Sequence, residues 1–203
     1  ENKSLAEVLG GAQPGKVKLA DIIQPASPGL DIAPGDIALS SCELGLVLRI
    51  GREAILKRAL ATVATSYDLA IIDLPPGLGL LAVNGLAAAE GVIVPTLPAA
   101  ADLRGLRLFL DTLESVQGDL NPGLELIGVI PIQFDGRLTA HNQALDLLAR
   151  AGLPILPAVP RSVRVQEAAG VFQALPDYDP SGKPMAAYQE IANEVEKWLK
   201  KNS

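Results

Sequence analysis

The sequence predicts an α/β fold with a mostly parallel central sheet and helices on both faces. Three observations predict it. Short runs of Leu, Ile and Val occur as continuous apolar segments rather than alternating ones, the pattern of strands buried on both faces. These runs alternate with longer stretches of helical period. Of the 203 residues, 49% are hydrophobic but only 3% aromatic, so the core between the layers is built from aliphatic side chains.

Taken in order, residues 5–9 and 19–23 read as short helical pieces around a Gly/Pro-containing loop. "PGLDIAP", residues 28–34, is a short strand punctuated at both ends. Residues 37–63 form a long amphipathic helical region. Leu44, Val47, Leu48, Ile55, Leu56 and Leu60 are its expected inner face, and Gly45 and Gly51 are positioned to bend or divide it. A strand follows at 69–73, a helix at 80–89, a strand at 91–96 and a helix at 102–116 with Asp102 as N-cap. The series closes with a strand at 124–132, a helix at 139–151 and a strand at 153–160.

The tail, about 185–200, is an amphipathic helix with Tyr188, Ile191, Val195 and Trp198 on one stripe. Glu190, Glu194 and Glu196 would be repelled by anionic lipid, so docking on the core is expected over a membrane surface. With no internal repeat and no low-complexity segment, residues 1–203 read as a single domain.

Composition narrows the function classes. The net charge is −6, so attraction to nucleic acid requires a local basic patch. Cys42 is the single cysteine; no intrachain disulfide can form and a reducing, cytoplasmic setting is expected. The most apolar stretch, 80–101, is interrupted by Asn84, Glu90, Pro95 and Pro98, and no signal peptide or membrane span is expected. The sequence begins at Glu1 rather than at a methionine.

The segment that carries chemistry is "YDLAIIDLPPGLGL", residues 67–80. In open parallel sheets, ligands bind beyond the carboxyl ends of the strands, and the apolar run 69–72 delivers Asp73 to such an end. An aspartate there suits a metal-bound water beside nucleotide phosphates, while the spacing leaves open that it caps the following helix. Pro75 and Pro76 stiffen the departure, and Gly77 and Gly79 allow close backbone approach.

"YDLAIIDLPPGLGLLAVNGLAAAEGVIVPT" (67–96) resembles the ParA family of partition ATPases, where the wording runs YDYIIID-x-PPSLGLLT-x-NAL…ADSVIIP. "IGREAILKRAL" (50–60) adds to the likeness. "VPRSVRVQEA" (159–168) resembles the family's IPRNVRLSEA, and "YDPSGKPMAAYQEIANEV" (178–195) its YDP…GAEAYLELAKEV. The motifs occur in the family's order and spacing from about Leu30 to the end.

The resemblance implies a deviant P-loop ATPase of the ParA/Soj/MinD class, with a three-layer P-loop-NTPase-like fold. ATP and Mg²⁺ are its implied cofactors. An ATP-dependent homodimer would bind DNA non-specifically, and a ParB-type partner would stimulate hydrolysis. The implied setting is the cytoplasm, on the nucleoid and not on a membrane. By position, Asp73 is the Mg²⁺-associated catalytic acid, holding the metal through water, and Asp73, Pro75 and Pro160 are nucleotide-binding positions. Arg137 and Arg164 match the family's DNA-contacting arginines, and Arg161 lies one extended step from Arg164. As residues alone, these arginines also fit ordinary surface charges or ion-pair partners.

The family's glycine-rich KGGVGKT loop and its switch aspartate are expected upstream of Glu1. "GGAQPGKV" (10–17) matches G-x-x-x-x-G-K but is read as coincidence, because Val17 stands at the metal-binding Ser/Thr position and Pro14 lacks an amide donor. Gly77 replaces the family's serine, and Ala100 and Ala101 replace bulkier residues. His141, the single histidine, is expected to be solvated or capping, and Cys42 a small buried side chain. A nucleotide-inactive interaction module and a MinD-like cargo-positioning ATPase are the alternatives.

Overall fold

The computed structural model describes residues 3–10 and 16–202; most of "GGAQPGKV" lies outside the described residues. The chain divides into two compact units, Glu1–Glu90 with Thr112–Leu124, and Gly91–Asp111 with Glu125–Ser203.

The first unit contains α1 (Leu5–Gly10), an antiparallel pair β1 (Gln24–Ser27) and β2 (Leu30–Ile32), α2 (Ala38–Leu46), α3 (Ile55–Ala61) and α4 (Leu80–Ala88). Leu9, Cys42, Leu46 and Leu56 are buried together, with Ile72, Leu80 and Leu81 packed against them. Val8, Leu19 and Ile22 form a second cluster against Ala59, Leu60 and Val63. Burial pushes the Cys42 thiol up, with Arg49 opposing and Glu43 adding to the shift.

Three expectations for this unit need correction. The predicted single strand at 28–34 is a hairpin. The predicted helical region is two helices, because Gly51 adopts the left-handed φ of 64° that favours glycine. That break resets the helical phase, so α2 buries Cys42 and Leu46, while Leu44 and Leu48 are 78% and 91% exposed. Finally, residues 69–73 form no strand. They make no backbone ladder among the described residues, and Leu69 and Ile71 are exposed. An apolar run becomes a strand only when a neighbouring backbone completes its hydrogen bonds.

The second unit has three layers. β3 (Gly91–Thr96) pairs in parallel with β4 (Glu125–Pro131), with a bulge after Val92. On one face Val129, fully buried, meets Leu106 and Leu103 of α5 (Ala100–Asp119) and Leu148 and Leu145 of α6 (Thr139–Arg150). On the other face Ile130 meets Ala187 and Ile191 of α9 (Lys183–Asn202), with Ile93, Ile127 and Val195 packed around them. Burying such side chains contributes roughly 1.5–3 kcal/mol each. The Trp198 indole N–H donates to Glu125 Oε2 at 2.7 Å. The fold is therefore α/β, with helices on both faces of a parallel pair.

The predicted strand at 153–160 is reduced to two parallel bridges, Ile155 to Val129 and Pro160 to Phe134. Pro154, Pro157 and Pro160 have no amide proton to donate, so a continuous ladder cannot form. α7 (Val163–Gly170) and α8 (Leu175–Tyr178) follow. Asp102 lies in the first turn of α5 rather than at its N-cap. Among the described residues, no helix is long and apolar enough to cross a membrane.

Candidate functional site

Asp73 lies in the first unit, in the extended segment before α4. Its carboxylate is exposed and has no hydrogen-bond or ion-pair partner among the described residues. It does not cap α4. The N-cap residue is Gly79, which has no side chain to offer, and the Leu81 amide donates instead to Glu43 Oε1 at 3.3 Å. A side chain at Gly79 would overlap the Glu43 carboxylate, so the glycine admits the acid that caps the helix. Pro75, exposed, follows Asp73 by two residues.

A free, hard carboxylate fits Mg²⁺, which keeps several waters and takes one or two carboxylates alongside phosphate oxygens. Among the described residues, no group of three or more His, Cys, Asp or Glu side chains could form a protein cage for a metal ion.

The three candidate arginines and Pro160 lie in the second unit, where one bridge draws their segments together. Phe134 pairs in parallel with Pro160. The Phe134 amide donates to the Val159 carbonyl at 2.9 Å, and the Arg161 amide donates to the Phe134 carbonyl at 3.2 Å. The loop that carries Arg137 is thereby tied to the segment that carries Arg161 and leads into α7 with Arg164. His141 braces this loop: its Nδ1 accepts the Asp135 amide at 3.0 Å, and its ring lies 5.8 Å from that of Phe134.

The guanidinium groups differ in their engagement. Arg137 is gripped two-pronged by Asp135, Nε to Oδ1 at 2.9 Å and Nη2 to Oδ2 at 2.7 Å. Those hydrogen bonds, joined by one from the Arg137 backbone amide, hold the Asp135 carboxyl well below the usual carboxylate range. Arg164 Nη1 donates to Glu167 Oε2 at 3.1 Å; its guanidinium carbon lies 6.0 Å from the centre of the Tyr178 ring, whose hydroxyl donates to the same carboxylate oxygen at 3.2 Å. Arg161 is exposed and has no carboxylate partner among the described residues. The Ser162 hydroxyl oxygen accepts the Arg164 amide and caps α7.

Residues 1–126 match a family described as an AAA domain. The chain is 36% identical over 196 residues to the chromosome partitioning protein ParA of Caulobacter vibrioides, covering 95% of this chain and 72% of that protein. The chain belongs to the ParA family. It is also 36% identical over 183 residues to an uncharacterized protein of Mycobacterium tuberculosis, covering 89% of this chain but 58% of the relative's length. A crystal structure named cobyrinic acid a,c-diamide synthase from Mycobacterium smegmatis, with bound ATP analog and magnesium, is 34% identical. It superposes with a TM-score of 0.83 over 99% of this chain and 74% of that one.

In this ParA-family chain, sequence reasoning did not identify Asp135, Glu167 and Tyr178 as the partners of the arginines, nor His141 as the acceptor of the Asp135 amide. The i,i+3 spacing of Arg164 and Glu167 on a helix was a usable signal for one pair; the others needed the loop geometry. A shallow hollow lined by Pro180, Ser181, Gly182, Met185, Ala186 and Gln189 is bordered by none of the candidate residues.

Proposed function

We propose that the whole protein is a ParA-type partition ATPase, and that residues 1–203 form part of its nucleotide-binding domain. Its ATP- and Mg²⁺-dependent homodimer binds DNA non-specifically on the nucleoid, in the cytoplasm, and a ParB-type protein stimulates hydrolysis. The observation that carries this proposal is the tying of the Arg137 loop to the Arg161–Arg164 segment through Phe134 and Pro160. It ties together the segments that carry three family-matched or adjacent arginines in a chain of net charge −6, and cations on neighbouring segments can contact successive phosphates.

Asp73 is the proposed acid of the nucleotide site, supported by a carboxylate that no described residue occupies. Bound Mg²⁺-ATP supplies the phosphoryl group for transfer to water. Asp73 would hold the Mg²⁺ through water with its carboxylate, and Pro75 would fix the backbone as it leaves the site. Pro160 borders the nucleotide base in this proposal.

The test is DNA retention and ATP turnover by the full-length protein. Arg137→Ala and Arg164→Ala are each expected to weaken non-specific duplex binding and to lower the salt slope by about 1, with an unchanged thermal melt. Asp73→Asn is expected to suppress hydrolysis. Wild-type duplex binding at low salt in both arginine variants would overturn the DNA assignment.

A further inference from the structure

Arg137 and Arg164 are both held by acids of their own segments, whereas Arg161 is not. The Asp135 grip uses the Nε–Nη2 edge of Arg137, which is the fork that matches a phosphate two-pronged. Glu167 holds Arg164 from one helical turn away, with Tyr178 fixing the same oxygen of that acid. Each carboxylate takes up guanidinium N–H groups that could otherwise donate to a phosphate oxygen. We infer that Asp135 and Glu167 are built-in competitors of DNA phosphate, latching two of the three arginines so that only a polyanion engaging the whole corner displaces them. This inference rests on the DNA-binding proposal above and adds its regulation.

Exposure sets the strength of the latch. Arg137 and Arg164 side chains are 89% and 61% exposed, against 23% and 43% for Asp135 and Glu167, and ion pairs whose cation stands open to solvent are weak. The acids therefore raise the threshold for binding without abolishing it. Arg161 remains available for first contact. A lone phosphate gains too little from one guanidinium to release the other two, whereas a backbone presenting successive charges compensates at several positions together. A ParA-family chain latched in this way discriminates long duplex from small anions without reading any base.

The experiment measures non-specific duplex binding by the full-length protein with ATP across a salt series. Asp135→Asn and Glu167→Gln, singly and together, are compared with Glu190→Gln, which removes one negative charge from an exposed position on α9. About threefold tighter binding is expected for each single variant and about tenfold for the pair, as the loss of weak exposed ion pairs allows. Glu190→Gln should change affinity less than about twofold, as a single screened surface charge does.

Thermal melts confirm folding, and either single variant carries the test if the other fails to fold. Asp135→Asn and Glu167→Gln binding no tighter than Glu190→Gln would overturn the latch. Weaker binding would also overturn it and make the acids positioning groups. If Arg137→Ala and Arg164→Ala retain wild-type binding, the DNA proposal itself fails. Loss in those variants with no gain in the acid variants removes the latch alone.

Discussion

The Asn84 side-chain oxygen accepts the Leu56 amide at 3.2 Å, 28 residues away in sequence. Leu56 is the second residue of α3, whose own N-cap, Ala54, provides no side-chain hydrogen bond. The Asn84 amide group also donates to the Arg52 and Leu80 carbonyls at 2.8 and 2.9 Å. One fully buried side chain thus completes a helix start and a turn elsewhere in the first unit.

Replacing Asn84 by Leu leaves the Leu56 amide and the Arg52 carbonyl without this partner in the interior. Asn84→Leu should lower stability by about 3 kcal/mol, since an unpaired buried polar group costs about 1–3 kcal/mol. Urea unfolding of the two proteins checks this. A loss below about 0.5 kcal/mol would mean that solvent or rearrangement repairs both groups.

Gly128 is required by close approach rather than by φ. A Cβ there would lie 2.8 Å from Leu156 Cγ and 3.1 Å from the Pro154 carbonyl oxygen. That segment is anchored by Val129 N–H to Pro154 O at 2.8 Å and Leu156 N–H to Val129 O at 2.9 Å. Gly128→Ala should therefore cost about 1–3 kcal/mol, the range for overpacking a dense core. Thermal unfolding reads the effect, and an unchanged melting temperature would contradict this packing.

The Asp135 carboxyl should titrate below the ordinary aspartate value of about 3.9, because the Arg137 side chain and then its backbone amide stabilise the charged form. Its folded pKa is depressed relative to the unfolded chain. Its contribution to stability is therefore present above the unfolded value and is lost as pH falls through the folded one. Carboxyl carbon shifts across a pH series should show this, and Arg137→Gln should move the midpoint back up. A midpoint unaffected by that substitution would mean that the ion pair does not form in solution.

Local pattern proved sufficient where an element carries its own information. β3 occupies residues 91–96 as read, and α6 starts at Thr139 as read, because apolar runs and helical periods are local properties. The strand at 69–73 failed for the opposite reason: its ladder depends on a backbone that sequence distance does not specify. The inner face of α2 was misassigned because one left-handed glycine breaks the phase between Leu44 and Ile55. Asp73, Arg137 and Arg164 were picked out by motif wording, and the roles given to them belong to the proposal above. Glu43 as the cap of α4, Asn84 as the cap of α3, and Asp135 as the partner of Arg137 are contacts made by folding, and the first two cross 28 residues or more.

The segment around Ile71, which is 87% exposed, has a practical consequence for anyone concentrating the protein. Backbone groups that enter no ladder among the described residues, beside bare aliphatic side chains, offer a template on which another extended peptide can grow. Such growth would follow protein concentration rather than denaturant, and a charge placed at Ile71 should slow it by making each added layer repel the last.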